Sequence, residues 1–164
     1  MKSKILIYIL SGALGLTVMV GAFFILKQTI GVELESSIEL STDGVTEKEM
    51  SIVGLDLIPG TSKEYVINLL ADDASSYDIS LDFKKKGVDS LKEYIHVRVT
   101  VGDVTVNKTL AELFEKGLNF VDANADKIYI TYLMPESVGN EAQGKEISFN
   151  IKLTVVKWYK KGID

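Results

Sequence analysis

Apolar residues fall along this chain in two ways. Residues 5–26 form one uncharged run, preceded by Lys2 and Lys4 and followed by Lys27; from residue 32 onward, apolar and polar residues instead alternate in short bursts. As a helix rising about 1.5 Å per residue, the run reaches about 33 Å, enough for a hydrocarbon core of about 30 Å. The lysine excess in front of it keeps the N-terminus in the cytoplasm and sends the remainder across the membrane. Two forms of this element stay open. It is an uncleaved transmembrane anchor, or it is a signal peptide removed by a signal peptidase at Val20-Gly21-Ala22, with Ala22 at the cleavage position. Length favours the anchor, because a signal's apolar stretch usually runs about 7 to 15 residues. Either way the chain divides into a signal or anchor region, 1–30, and an exported domain, 31–164.

The alternating bursts predict strands. Val32, Leu34, Ser36, Ile38 and Leu40 interleave with Glu33, Glu35, Ser37, Glu39 and Ser41, giving a strand with one buried and one wet face. It either opens its own domain or, lying between the apolar run and the body, leaves its sheet to pair with a neighbour's. Residues 49–53 predict a short second strand, and Leu57-Ile58-Pro59-Gly60-Thr61 a turn before another strand at 63–71. After a polar loop at 72–76, Tyr77, Ile79, Leu81 and Phe83 face inward; later Ile95, Val97, Val99 and Val101 do the same, and Gly102-Asp103 turns into Val104-Thr105-Val106. Residues 109–116 form the one convincing helix beyond the leader, with Thr109 and Glu112 at capping-box spacing and Gly117 as its stop, placed to plug an open end of a sheet sandwich. A strand at 127–134 ends at Pro135. The clearest strand is the last, where Ile147, Phe149, Ile151, Leu153 and Val155 alternate with Ser148, Asn150, Lys152, Thr154 and Val156. About eight short strands and one brief helix describe an all-β fold, an antiparallel β-sandwich or jelly roll, preceded by the transmembrane or signal helix. No parallel β-α-β unit is readable, which disfavours nucleotide-binding α/β folds.

Charge and composition narrow the function. The net charge is −5, and Lys2, Lys4 and Lys27 account for +3, so the exported part carries −8. Such a body repels phosphate backbones and anionic lipid surfaces, so no nucleic-acid partner is expected. The chain has no cysteine and one histidine. That removes thiol catalysis, iron–sulfur clusters and sulfur-ligated zinc, and a multi-histidine metal site within one chain. No cofactor is expected.

The remaining chemical candidates read as ordinary surface. His96 lies on a polar strand face beside Arg98 with no base, nucleophile or orienting partner to set it to work. Lys84-Lys85-Lys86 reads as a solvated strand end. Asp122-Ala123-Asn124-Ala125-Asp126 imitates half of a calcium loop, but Lys127 stands where the sharp-turn glycine belongs and Leu133 where the bidentate glutamate belongs, leaving an Asx-rich turn. Asn107-Lys108-Thr109 is a glycosylation sequon, usable only in a host with the transferase. No G-x-S-x-G occurs, and no catalytic or metal-binding residue is assigned.

Several ordered segments resemble one family: Gly21-Ala22-Phe23-Phe24, Val32-Glu33-Leu34-Glu35, Asp56-Leu57-Ile58-Pro59-Gly60-Thr61-Ser62, His96-Val97-Arg98-Val99, Thr109-Leu110-Ala111-Glu112-Leu113 and Gly139-Asn140-Glu141-Ala142-Gln143-Gly144. The set is similar to the TasA/camelysin group of exported bacterial biofilm-fibre proteins and a related archaeal pilus group. The resemblance implies a jelly-roll subunit that polymerises by lending its N-terminal strand to the next subunit. On this chain the donated segment is residues 32–40, with Val32, Leu34, Ile38 and Leu40 as the side chains that enter the acceptor. Camelysins have been described as metallopeptidases, but H-E-x-x-H is absent here.

The leading expectation is therefore a structural protein at the outer face of the membrane or secreted to the cell surface. Its partners are copies of itself or homologous fibre subunits, and the membrane through residues 5–26. The alternative is a tethered binding module for cell-wall glycan or a protein, with Tyr94, Tyr129, Tyr132, Trp158 and Tyr159 as a candidate aromatic platform.

Overall fold

The computed structural model describes residues 34–40, 44–70, 76–142 and 144–158. The apolar run 5–26, the cleavage position Ala22, the strand residue Val32 and the platform candidate Tyr159 lie outside them. Among the described residues no helix is long and apolar enough to cross a membrane.

Among the described residues nine strands form two sheets, in chain order β1 (Leu34–Glu39), β2 (Val45–Leu55), β3 (Ser62–Leu70), β4 (Ser76–Lys85), β5 (His96–Val101), β6 (Val104–Thr109), β7 (Leu118–Ala123), β8 (Lys127–Leu133) and β9 (Ile147–Trp158), with one α-helix, α1 (Leu110–Lys116), between β6 and β7 and a 3-10 turn at Asn140–Ala142. Sheet I runs β1-β3-β8-β5-β6 and sheet II runs β2-β9-β4-β7. The all-β sandwich with one short helix is thus what forms. Between β2 and β9 every connection crosses from one sheet to the other except the β5–β6 hairpin.

The two-residue period explains the packing. Tyr77, Ile79, Leu81 and Phe83 of β4 and Ile147, Phe149, Ile151, Leu153 and Val155 of β9 are buried from sheet II, facing Ile67 and Leu69 of β3, Val97, Val99 and Val101 of β5, and Ile128, Ile130 and Tyr132 of β8. Phe149 is the hub of an aromatic cluster, with ring centroids 5.7 Å from Tyr132, 5.9 Å from Phe114 and 6.2 Å from Phe83. The helix closes this end, as its apolar stripe requires. Leu110 and Leu113 are buried, and the capping box forms: Glu112 N–H donates to the Thr109 hydroxyl at 3.2 Å while Thr109 N–H donates to Glu112 Oε2 at 2.8 Å. Gly117 ends it at φ +58, where a Cβ would sit 2.7 Å from the Leu81 carbonyl oxygen, so only glycine fits between helix and β4.

Three expectations need correction. The sandwich is not wholly antiparallel: β1 runs parallel to β3, from Leu34 opposite Tyr65 to Glu39 opposite Leu70. The short strand at 49–53 is an eleven-residue strand whose inward positions begin at Thr46 and Lys48, polar residues that hide its first half from an apolar pattern. Finally, the Asx-rich turn at 122–126 begins inside an unforeseen strand: β7 contains Asp122 and Ala123, and Asp122, at φ +53, donates its N–H to Asp78 Oδ1 at 2.9 Å. That strand was silent because it buries only Phe120 and leaves Val121 exposed.

Candidate functional site at the first strand

The edge of sheet I where β1 lies is held differently from the rest of the sandwich. Each other strand pairing among the described residues is antiparallel, whereas β1 makes six parallel rungs on β3 and has no strand on its other side. Parallel rungs are slightly weaker per residue. Ile38 is buried, Leu40 is half-buried against the core, and the Leu40 N–H extends the ladder by donating to the Leu70 carbonyl at 3.0 Å. On the outer face the Asn68 amide of β3 donates to Glu35 Oε1 at 2.6 Å.

From the opposite sheet comes a single cation. Lys48 stands on the inward face of β2, and its Nζ donates to the Ser36 hydroxyl and to the Ser37 carbonyl, both at 2.6 Å. Among the described residues no carboxylate pairs with it. Lifting β1 away would bare the outer main-chain edge of β3 together with Ile67 and Leu69, a slot able to accept an extended chain through backbone hydrogen bonds and alternate side chains.

Of the four donor positions read from sequence, the structure brings Ile38 and Leu40 into this edge, and Leu34 opens the strand opposite Tyr65. The Lys48–Ser36 pair was missed; its one signal is a lysine in step with Met50 and Ile52. Three of the five aromatic platform candidates, Tyr94, Tyr129 and Tyr132, have described side chains, and they do not share one surface. Tyr132 is buried, its hydroxyl lacks a hydrogen-bond partner among the described residues, and burial pushes the phenol far above its ordinary pKa. Tyr94 packs on the core, leaving Tyr129, 38% exposed, between Val66 and Thr100 on the outer face of sheet I. Tyr132 was in phase with Ile128 and Ile130, a period that already marks it as inward.

Other polar groups make local surface contacts. His96 is exposed at the start of β5. Among the described residues no group of three or more His, Asp or Glu is placed to hold a metal ion. Lys84 and Lys85 border a groove of about 420 Å³ beside α1, floored by Phe83 and Phe114. There Asp89 accepts from Lys92 at 3.0 Å, a bond that holds its carboxyl below the ordinary value and raises Lys92.

No family model matches the chain, and no curated protein does. Among solved structures, it is similar to the full extracellular region of zebrafish Gpr126/Adgrg6, with 16% identity, TM-score 0.43 and coverage of 77% of this chain but 15% of that one. It is also similar to FLHE, with 11% identity, TM-score 0.44, and 70% and 97% of the two chains covered. A mutant of PliG-Ec, a periplasmic inhibitor of g-type lysozyme from Escherichia coli, shares 9% identity at TM-score 0.38 over 76% and 99%. The chain thus spans about a seventh of the length of the zebrafish protein, and scores this low transfer no activity from any of the three.

Proposed function

We propose that this chain is an exported, non-enzymatic structural subunit of the TasA/camelysin kind, which joins copies of itself by seating its first strand against β3 of a neighbour. The observation that carries the reading is the placement of β1. It is the first described strand after the apolar run, it lies at a sheet edge, and among the described strands it is the one held by parallel rungs alone. The order of the remaining eight strands, 2-9-4-7 over 3-8-5-6, is that of a jelly roll and needs no contribution from β1 to close. The body can therefore exchange the strand without exchanging its fold. The leader, as anchor or cleaved signal, delivers the domain to the outer face of the membrane or the cell surface.

The test is removal of residues 32–40. The shortened body is expected to stay folded by circular dichroism and to scatter light as a monomer at concentrations where the full chain associates. Unchanged association would refute strand donation. A second reading, glycan binding, draws on the exposed Tyr129 and would be favoured by peptidoglycan pull-down that Tyr129→Ala abolishes.

A further inference from the structure

We infer that Lys48 and Ser36 form a register pin, which decides which strand, and in which alignment, is accepted in the slot beside β3. The inference deepens the strand-donation reading and rests on it for the identity of the incoming strand. The interior edge beside β3 is apolar at Ile38 and Leu40, and Ser36 interrupts that pattern with a hydroxyl. Lys48 crosses from sheet II to that one position, binding the Ser36 hydroxyl and the next carbonyl, that of Ser37, both at 2.6 Å.

In a part-buried place such acceptors replace the water that an ammonium loses. Sheet pairing slips in steps of two residues if inside is to remain inside. A slip of two in one direction would set Leu34 opposite Ile67, where Ser36 now stands, and a slip in the other would set Ile38 there. Neither residue offers a hydroxyl, so each slipped alignment leaves Lys48 a main-chain carbonyl alone and sets a side chain of hydrocarbon where the hydroxyl was. One polar contact in an apolar seam fixing register at some cost in stability is a device known from coiled coils. Here it selects an incoming strand with a small hydroxyl residue two positions before an isoleucine-like side chain. A second copy of this chain has that pattern at Ser36 and Ile38.

The chain lacks cysteine, so pairs of introduced thiols report alignment cleanly. Three variants of the full chain carry Ser37→Cys with Asn68→Cys for the observed register, and Ser37→Cys with Leu70→Cys or Glu39→Cys with Asn68→Cys for the two slips. Under diamide the first pair is expected to oxidise at least about tenfold faster than either slipped pair, the discrimination that losing one hydrogen bond to a charged group imposes. Lys48→Met, and separately Ser36→Leu, should bring the three rates within about threefold of one another, while Lys48→Arg keeps the preference. A tenfold preference that survives both Lys48→Met and Ser36→Leu overturns the pin. Non-reducing mass measurement separates the two ideas. Disulfides solely within single chains would defeat strand donation, and the ratio of rates would still decide the role of Lys48.

Discussion

The first and last strands carry the same alternation of apolar and polar residues, yet the structure commits to them unequally. The last strand, β9, lies between β2 and β4, pairs antiparallel on both sides, and buries five side chains to 1% exposure or less. The first, β1, pairs on one side, in parallel, and its buried Ile38 retains 7% exposure. Two-residue periodicity thus says that a strand has an inside; the neighbours available on each edge set how firmly it is held. β2, β6 and β7 are edge strands too, but antiparallel ones; the parallel edge strand β1 is the one the proposed assembly uses.

The comparison breaks most visibly at β9. Ile151→Asp places a carboxylate among Met50, Phe83 and the core of sheet I, and no cooperative melt should remain, since an unpaired buried charge costs as much as a domain's net stability of about 5–15 kcal/mol. A cooperative transition near the parent's temperature would show that β9 is not the spine of sheet II. Truncation to alanine sharpens the contrast: denaturant unfolding should show Ile151→Ala near about 4 kcal/mol and Ile38→Ala near about 2 kcal/mol, because the edge can close over the loss. Equal costs would mean that β1 is as embedded as β9.

A smaller effect lies at the helix that seals the aromatic end. Thr109→Ala removes the hydroxyl that caps Glu112 N–H and should cost about 1 kcal/mol. The Glu112 carboxyl is held below its ordinary value by the Thr109 backbone N–H, then by Lys108 and the Thr109 hydroxyl. A lowered carboxylate pKa contributes stability that is complete above the ordinary carboxylate value and is lost as pH falls through the lowered one. Acid should therefore loosen α1 first, read as faster amide exchange in residues 110–116 while β9 amides stay protected. The smallest effect is expected at Tyr132→Phe. Its hydroxyl has no partner among the described residues, so removal should leave stability unchanged or raise it by up to about 1 kcal/mol.

Much of the sandwich was legible because its central strands state their inside face in apolar residues. β4, β5, β8 and β9 are all in phase with their burial. Strands that bury little were not legible: β7 hangs on Phe120, and the first half of β2 faces inward with Thr46 and Lys48. The direction of β1 was beyond any local pattern, since alternation is identical for parallel and antiparallel pairing and the choice rests on a crossing through β2. Ser36 and Lys48 likewise belong to opposite sheets, and nothing in either neighbourhood names the other.

The seat of β9 has a consequence for how the chain comes into being. A polypeptide that emerges N-terminus first, from a ribosome or through a pore, delivers β2 and β4 long before the strand that must lie between them. Half of the sandwich therefore waits for residues 147–158, and folding is governed by contacts distant in sequence, a slow regime in which unpaired strand edges stay open to other chains. Newborn molecules have to be kept apart until that dozen residues arrives.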